Sequence, residues 1–221
     1  MPAPVDRIVR SKRRTVALIV ESDGSVTVRA PMRLPEIAIR EFVEKHVDWV
    51  EKKKAEMRAV VPIQSKQYQS GETFLYLGRE YPLEVVADQS KKLILDDHFK
   101  IAKSALKDAE LVFQNWYRQQ AKQWIVERVK HLAELHQLHY DKVKITSART
   151  RWGSCSSRNT LSFSWRLMLT APEVIEYVII HELAHAVHHN HSKRFWNLVE
   201  KLLPDNQKLR KRLKDYGKQV L

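Results

Sequence analysis

The chain has 221 residues, enough to bury a substantial core, and its 43% hydrophobic and 29% charged residues exclude a fibrous or wholly disordered protein. With 39 Lys and Arg against 26 Asp and Glu, its formal charge is +13 and its pI near 9.8; this suits polyanionic partners such as nucleic acid, or equally just Lys-rich helix faces. A single cysteine, Cys155, excludes an intrachain disulfide. With no apolar segment after the charged N-terminus and only a short apolar run at Val174–Ile180, a cytoplasmic protein without a membrane span is expected.

Along the chain, Thr15–Glu21 and Ser25–Ala30 alternate in hydrophobicity around Ser22-Asp23-Gly24 and predict a hairpin. Apolar residues from Ile37 to Val50 at spacings of three and four predict a helix starting at Pro35. Val60–Gly71 reads as a loop. Phe74–Leu77, Tyr81–Val86 and Leu93–Leu95 read as strands, with turns at Gly78 and Asp96-Asp97. A long helix without Gly or Pro is expected from about Lys107 to His139. Strands at Lys142–Thr146 and Thr160–Trp165 then flank an irregular segment, Arg149–Asn159. The expected organisation is α+β: an N-terminal β-rich module with one helix over 1–105, then a catalytic domain over 106–221 that opens with the connecting helix.

The chemistry concentrates in Val174–Trp196. Thr170 and Glu173 have capping-box spacing with Pro172 between them, so a helix should begin there. Apolar residues on nearly every side of it predict burial, which His181, Glu182 and His185 would tolerate only if something satisfied them. Histidines four apart share one helix face and can bind one ion, with Glu182 beside it as the base that activates a metal-bound water. Ten residues of unbroken helix would carry His191 about 15 Å away from His181, so the chain must turn for His191 to be the third ligand. Asn190 is the expected left-handed residue of that turn and Ser192 the N-cap of a following helix, Lys193–Leu203. Metzincins use the same ligand spacing but place Gly where this chain has His188. Three imidazoles favour one Zn2+ ion, and three rather than four protein ligands favour catalysis over a structural site. Glu200 is the alternative third ligand. His188 is a candidate oxyanion donor, second-shell partner or merely solvated residue.

The stretch from Arg149 to Trp196, including Arg151-Trp152-Gly153-Ser154-Cys155-Ser156, closely resembles the YgjP-like family of zinc metallopeptidases, and more loosely the WLM and SprT-like protease domains. The resemblance implies a zincin-like catalytic domain of mini-zincin fold, a small sheet packed on the H-E-x-x-H helix, with His181, His185 and His191 as zinc ligands and Glu182 as base. Gly153 suggests a tight loop near the metal helix or substrate. Arg151 could pair with a substrate carboxylate, phosphate or oxyanion, or form a structural salt bridge, and Cys155 suits packing. Thr160–Trp165 resembles the edge strand along which such enzymes align a peptide. The expected function is a metallopeptidase acting on a peptide or protein. The alternatives are a metal-dependent nucleotide pyrophosphatase or phosphohydrolase, with Arg149, Arg151 and Arg158 gripping phosphates, and a nucleic-acid-associated protease.

Overall fold

The computed structural model describes residues 5–21, 24–59 and 66–220. The chain divides into two compact units, Met1–Ile63 and Gln64–Leu221. The division lies well before the expected boundary at 105. The strands that follow residue 70 belong with the long helix: Phe74 stacks on Phe113 at 4.2 Å between ring centroids, and Phe99 meets Trp116 edge-on at 5.0 Å.

In the first unit, β2 (Ala17–Val20) and β3 (Val26–Pro31) pair antiparallel as the alternation predicts. Of the intervening turn, Ser22 and Asp23 lie outside the described residues. A strand not foreseen, β1 (Arg7–Ser11), runs parallel to β3 on its other side. The helical pattern is real but divided into α1 (Glu36–Glu44) and α2 (Val47–Ala59), with a turn at Lys45 and His46, so the described residues of the unit hold two helices rather than one. Val26, Val28, Ala30, Ile39, Val43 and Val50 form its core.

The described residues of the second unit form two sheets and four α-helices. β4 (Thr73–Tyr76), β5 (Arg79–Val86), β6 (Leu93–Leu95) and β7 (Phe99–Ala102) make a sheet of order β4-β5-β7-β6. A 3-10 turn then leads into α3 (Ala109–His136), which ends where Gln137 takes the left-handed conformation at φ 54°. Its buried residues Ala109, Phe113, Tyr117, Ala121, Ile125, Val129 and Ala133 recur every fourth position, one stripe along the core. A second sheet, β8 (Lys142–Thr146), β9 (Gly153–Cys155) and β10 (Thr160–Ser164), has β10 in the middle, parallel to β8 and antiparallel to β9. The strand expected to be an edge is therefore central, with its backbone groups engaged on both sides. An edge of this sheet belongs to β9, a three-residue strand within the segment that reads as irregular.

The helix carrying the histidines is α4 (Pro172–Val187), followed by α5 (Lys193–Leu202) and α6 (Asn206–Val220). Pro172 stands at the first position, as expected. The capping box does not form. Ala171 is the N-cap, the Thr170 hydroxyl donates to the Leu167 carbonyl at 2.9 Å, and Glu173 pairs with Arg212 at 2.6 Å. What sets the start of α4 is tertiary contact. Gly78, at φ 75° in the β4–β5 turn, sits so close to Ala171 that a Cβ there would be 2.9 Å from the Ala171 Cα. Tyr117 of α3 stacks on Trp165, 5.5 Å away, in the 3-10 turn before α4, and Arg128 of α3 pairs with Glu176 of α4 at 2.6 Å. Among the described residues, no helix is long and apolar enough to cross a membrane.

Candidate metal centre

α4 is buried on most sides, through Ile175, Val178, Ile179, Ile180, Leu183 and Ala184 among others, because an apolar helix of sixteen residues has no polar face to give to water. Its three ionisable residues of interest interrupt that surface near its C-terminal end. The helix stops at His188, whose backbone is extended (φ −130°, ψ 99°), and the chain doubles back to bring His191 over the helix end. Asn190 is not left-handed. It makes the turn through its side chain, Oδ1 accepting from the Ser192 backbone N–H at 3.2 Å. Ser192 is the N-cap of α5, as expected, though its hydroxyl makes no capping bond.

Among the described residues, His181, His185 and His191 bring one ligand nitrogen each within 4.8 Å of one another. The Nε2 atoms of His185 and His191 are 3.1 Å apart, and those of His191 and His181 also 3.1 Å. Three nitrogens on a tetrahedral zinc at about 2.0–2.1 Å would stand about 3.3 Å apart, so the set fits such an ion with little adjustment. Protonation also favours it. Burial, then the neighbouring imidazoles, holds His181 down to about 3, and burial lowers His185, so both rings are neutral with lone pairs available. The His185 Nδ1–H donates to the His188 carbonyl at 3.1 Å, which leaves Nε2 as the inward acceptor. His181 Nδ1 is buried without a hydrogen-bond partner among the described residues, a cost best offset if the other ring nitrogen makes a strong bond.

Phe195 of α5, fully buried, is a common floor under all three rings, with centroids 4.9, 4.4 and 4.9 Å from those of His181, His185 and His191. Trp196 stacks on His191 at 5.6 Å and 23°, and the Arg210 guanidinium of α6 covers the other ring system of this stack, 4.9 Å from Trp196. The most exposed of the three histidines is therefore held by aromatic packing.

Glu182 is only 6% exposed and has no hydrogen-bond or ion-pair partner among the described residues. Burial pushes its carboxyl up to about 8. It fits because β9 supplies a glycine. A Cβ on Gly153 would lie 2.6 Å from Glu182 Oε1 and 2.7 Å from its Cγ. Cys155, two residues on, is near enough for Glu182 to add to the upward push that burial gives its thiol.

The other predicted candidates separate. His188 contributes its backbone carbonyl to His185 rather than an imidazole to the cluster. Glu200 accepts from the Asn206 side chain at 2.9 Å and is no part of the set. Arg151 makes no ion pair with a described residue and lines two adjoining cavities, one with Lys142, Lys144 and Arg158, the other with Trp152 and Gly153. Arg149 lines neither. Gly153 approaches the metal helix as the sequence suggests, but its contact with Glu182 itself, and Phe195 as the floor, escape sequence reasoning.

Partial likeness to solved structures centres on metallopeptidases. The zymogen of abylysin from Pyrococcus abyssi shares 23% identity at a TM-score of 0.38, over 41% of this chain and 91% of its own. The zymogen of jannalysin from Methanocaldococcus jannaschii gives 18% and 0.37 over 41% and 93%, and Wss1 from Saccharomyces cerevisiae 16% and 0.33 over 59% and 92%. No curated protein matches the chain. The YgjP-like family, described as a metallopeptidase domain, matches residues 14–216, nearly the whole length and all of the histidine cluster. The chain belongs to the YgjP-like family of metallopeptidase domains.

Proposed function

We propose that the protein is a zinc-dependent peptidase in which His181, His185 and His191 hold one ion and Glu182 is the general base. The observation that carries this reading is the convergence of three ring nitrogens at 3.1 Å steps beside a buried carboxyl that has no other partner. The chemistry supplied by such an ion is Lewis-acid activation of water and of a carbonyl.

The chain's own residues do the rest. His185 is oriented through its Nδ1–H, and His191 is held by its stack on Trp196. A carboxyl pushed up to about 8 by burial is lowered again by a nearby cation, which brings Glu182 close to the pH at which a base exchanges protons most effectively. It takes a proton from the attacking water and returns it to the leaving amine, held in place against Gly153 by contact rather than by hydrogen bonds. β9, as the edge strand beside Glu182, offers free backbone groups for an extended substrate.

The test compares zinc-loaded wild type with Glu182→Gln on an unfolded protein and on nucleoside triphosphates, with products read by mass spectrometry and metal by elemental analysis. Both proteins should hold one zinc, and peptide cleavage should fall by about 10²–10⁴-fold in the variant. Nucleotide hydrolysis confined to wild type would replace this reading with the phosphoanhydride one. Failure of both proteins to bind metal would end it.

A further inference from the structure

The face of the β8–β10–β9 sheet opposite its core carries a cationic concavity. Strand alternation puts Leu161 and Phe163, both fully buried, on the inner face, while Ser162 turns outward, paired in register with Lys144 of β8 and Ser154 of β9. An open groove of about 740 Å³ lies over these outward residues, bounded by Lys142, Lys144, Arg151 and Arg158. Its one carboxylate, Asp141, is engaged by Lys142 at 3.6 Å and by the Thr160 hydroxyl at 3.0 Å. Lys144, Arg151 and Arg158 have no carboxylate partner among the described residues, so three positive charges face the groove uncompensated.

A single strand, β9, separates the candidate catalytic centre from the groove. Ser154 and Cys155 line it, and Gly153, next along β9, lies against Glu182. A polypeptide laid across β9 would have its scissile bond near Glu182 and its flanking residues over the cations.

We propose that this groove is a subsite for acidic stretches of the substrate polypeptide, so that the enzyme prefers peptides with Asp and Glu on one side of the cleaved bond. The proposal rests on the peptidase reading above. Carboxylates suit the site because arginine guanidinium groups bind them in a bidentate way and the groove's serine hydroxyls can donate to the remaining lone pairs. A nucleic acid strand fits less well. None of the side chains lining this groove is aromatic, so its floor gives bases nothing to stack on.

The experiment uses the full chain loaded with zinc and two peptides of equal length, one with an Asp/Glu run and one with the matching Asn/Gln run. Wild type should show a kcat/KM ratio of about tenfold or more in favour of the acidic peptide, falling as salt rises. Lys144→Glu with Arg158→Glu should bring that ratio to one or below, and Lys144→Gln with Arg158→Gln should give an intermediate ratio; an unchanged melting temperature confirms that these exposed changes leave the fold intact. In parallel, fluorescein-labelled acidic peptide should bind Glu182→Gln protein measurably more tightly than the neutral one, a readout independent of turnover. Equal cleavage of both peptides would overturn the subsite and leave the peptidase standing. Binding of the acidic peptide without cleavage of either by wild type would overturn the peptidase reading and, with it, the groove's role in selecting substrates. Displacement of the acidic peptide by a lower concentration of single-stranded oligonucleotide would overturn the proposal in favour of nucleic acid.

Discussion

Among the described residues of the second unit, two groups of side chains could in principle grip a metal: His181 with His185 and His191, and Asp96 with Asp97 and His98. They differ in what already satisfies them. The acidic group is self-compensating. His98 sits between Glu84 at 2.6 Å and Asp97 at 2.7 Å, its pKa raised chiefly by the bond to Glu84, and Asp96, held well below the usual carboxylate range by its hydrogen bonds to Asp97, Lys100 and the His98 backbone, pairs with Lys100 at 2.9 Å. The histidine group has no such partners. Burial lowers the pKa of His181 and His185, and among the described residues the neighbouring carboxyl is uncompensated and one buried ring nitrogen has no partner. Proximity of ligand atoms is thus a weak criterion. A cluster is a metal site when its charges and lone pairs remain unsatisfied without the ion.

The largest expected break in this comparison comes from removing a ligand. His191→Ala, at an exposed position outside α4, should reduce bound zinc from one per chain to a trace, a loss beyond the roughly 10–100-fold typical of second-shell changes. His98→Ala should leave the zinc content at one. Chelation should lower the Tm of wild type but not of His191→Ala, since only the former gains stability from the ion.

Next in size is Gly153→Ala. The added Cβ meets the Glu182 carboxyl at well under contact distance, so the base must move. Turnover should fall by about 10–100-fold with the zinc content unchanged, because a displaced base loses alignment rather than affinity for the ion. Full activity in this variant would mean that Glu182 does not work from the position described.

A smaller effect concerns the metal-free protein. A carboxyl raised from 4.5 to about 8 costs nothing below its unfolded pKa; the cost grows as pH rises and is complete above the folded pKa. In chelator, Glu182→Gln should therefore melt like wild type at pH 4.5 and several degrees higher at pH 9. The smallest effect is expected at the acidic cluster. His98 with a raised pKa contributes stability while protonated and loses it as pH rises through that pKa. His98→Gln should lower Tm slightly at pH 6 and not at pH 9.

Much of this was legible from local rules. The H-E-x-x-H spacing, the need for a turn before His191, the N-cap at Ser192, and strands β6 and β8 all follow from periodicity and the preferences of a few residues. Less so was β9. Gly153, Ser154 and Cys155 have weak strand preference, and they form one only because β10 supplies the partner. The capping box at Thr170 failed for a related reason: the 3-10 turn before α4 claimed the threonine hydroxyl first. Asn190 was recognised as a turn residue but turns the chain through its side chain, a choice that local sequence leaves open.

The sequence by itself determined which side chains are the candidates for chemistry, because ligand type and helical spacing are properties of short segments. Tertiary structure decided what surrounds them: Gly153 against Glu182, Phe195 beneath three imidazoles, β10 at the centre of its sheet, and a division at residue 63. These depend on contacts between residues far apart in the chain, and such contacts are selected by the packing of the whole core rather than by any local preference.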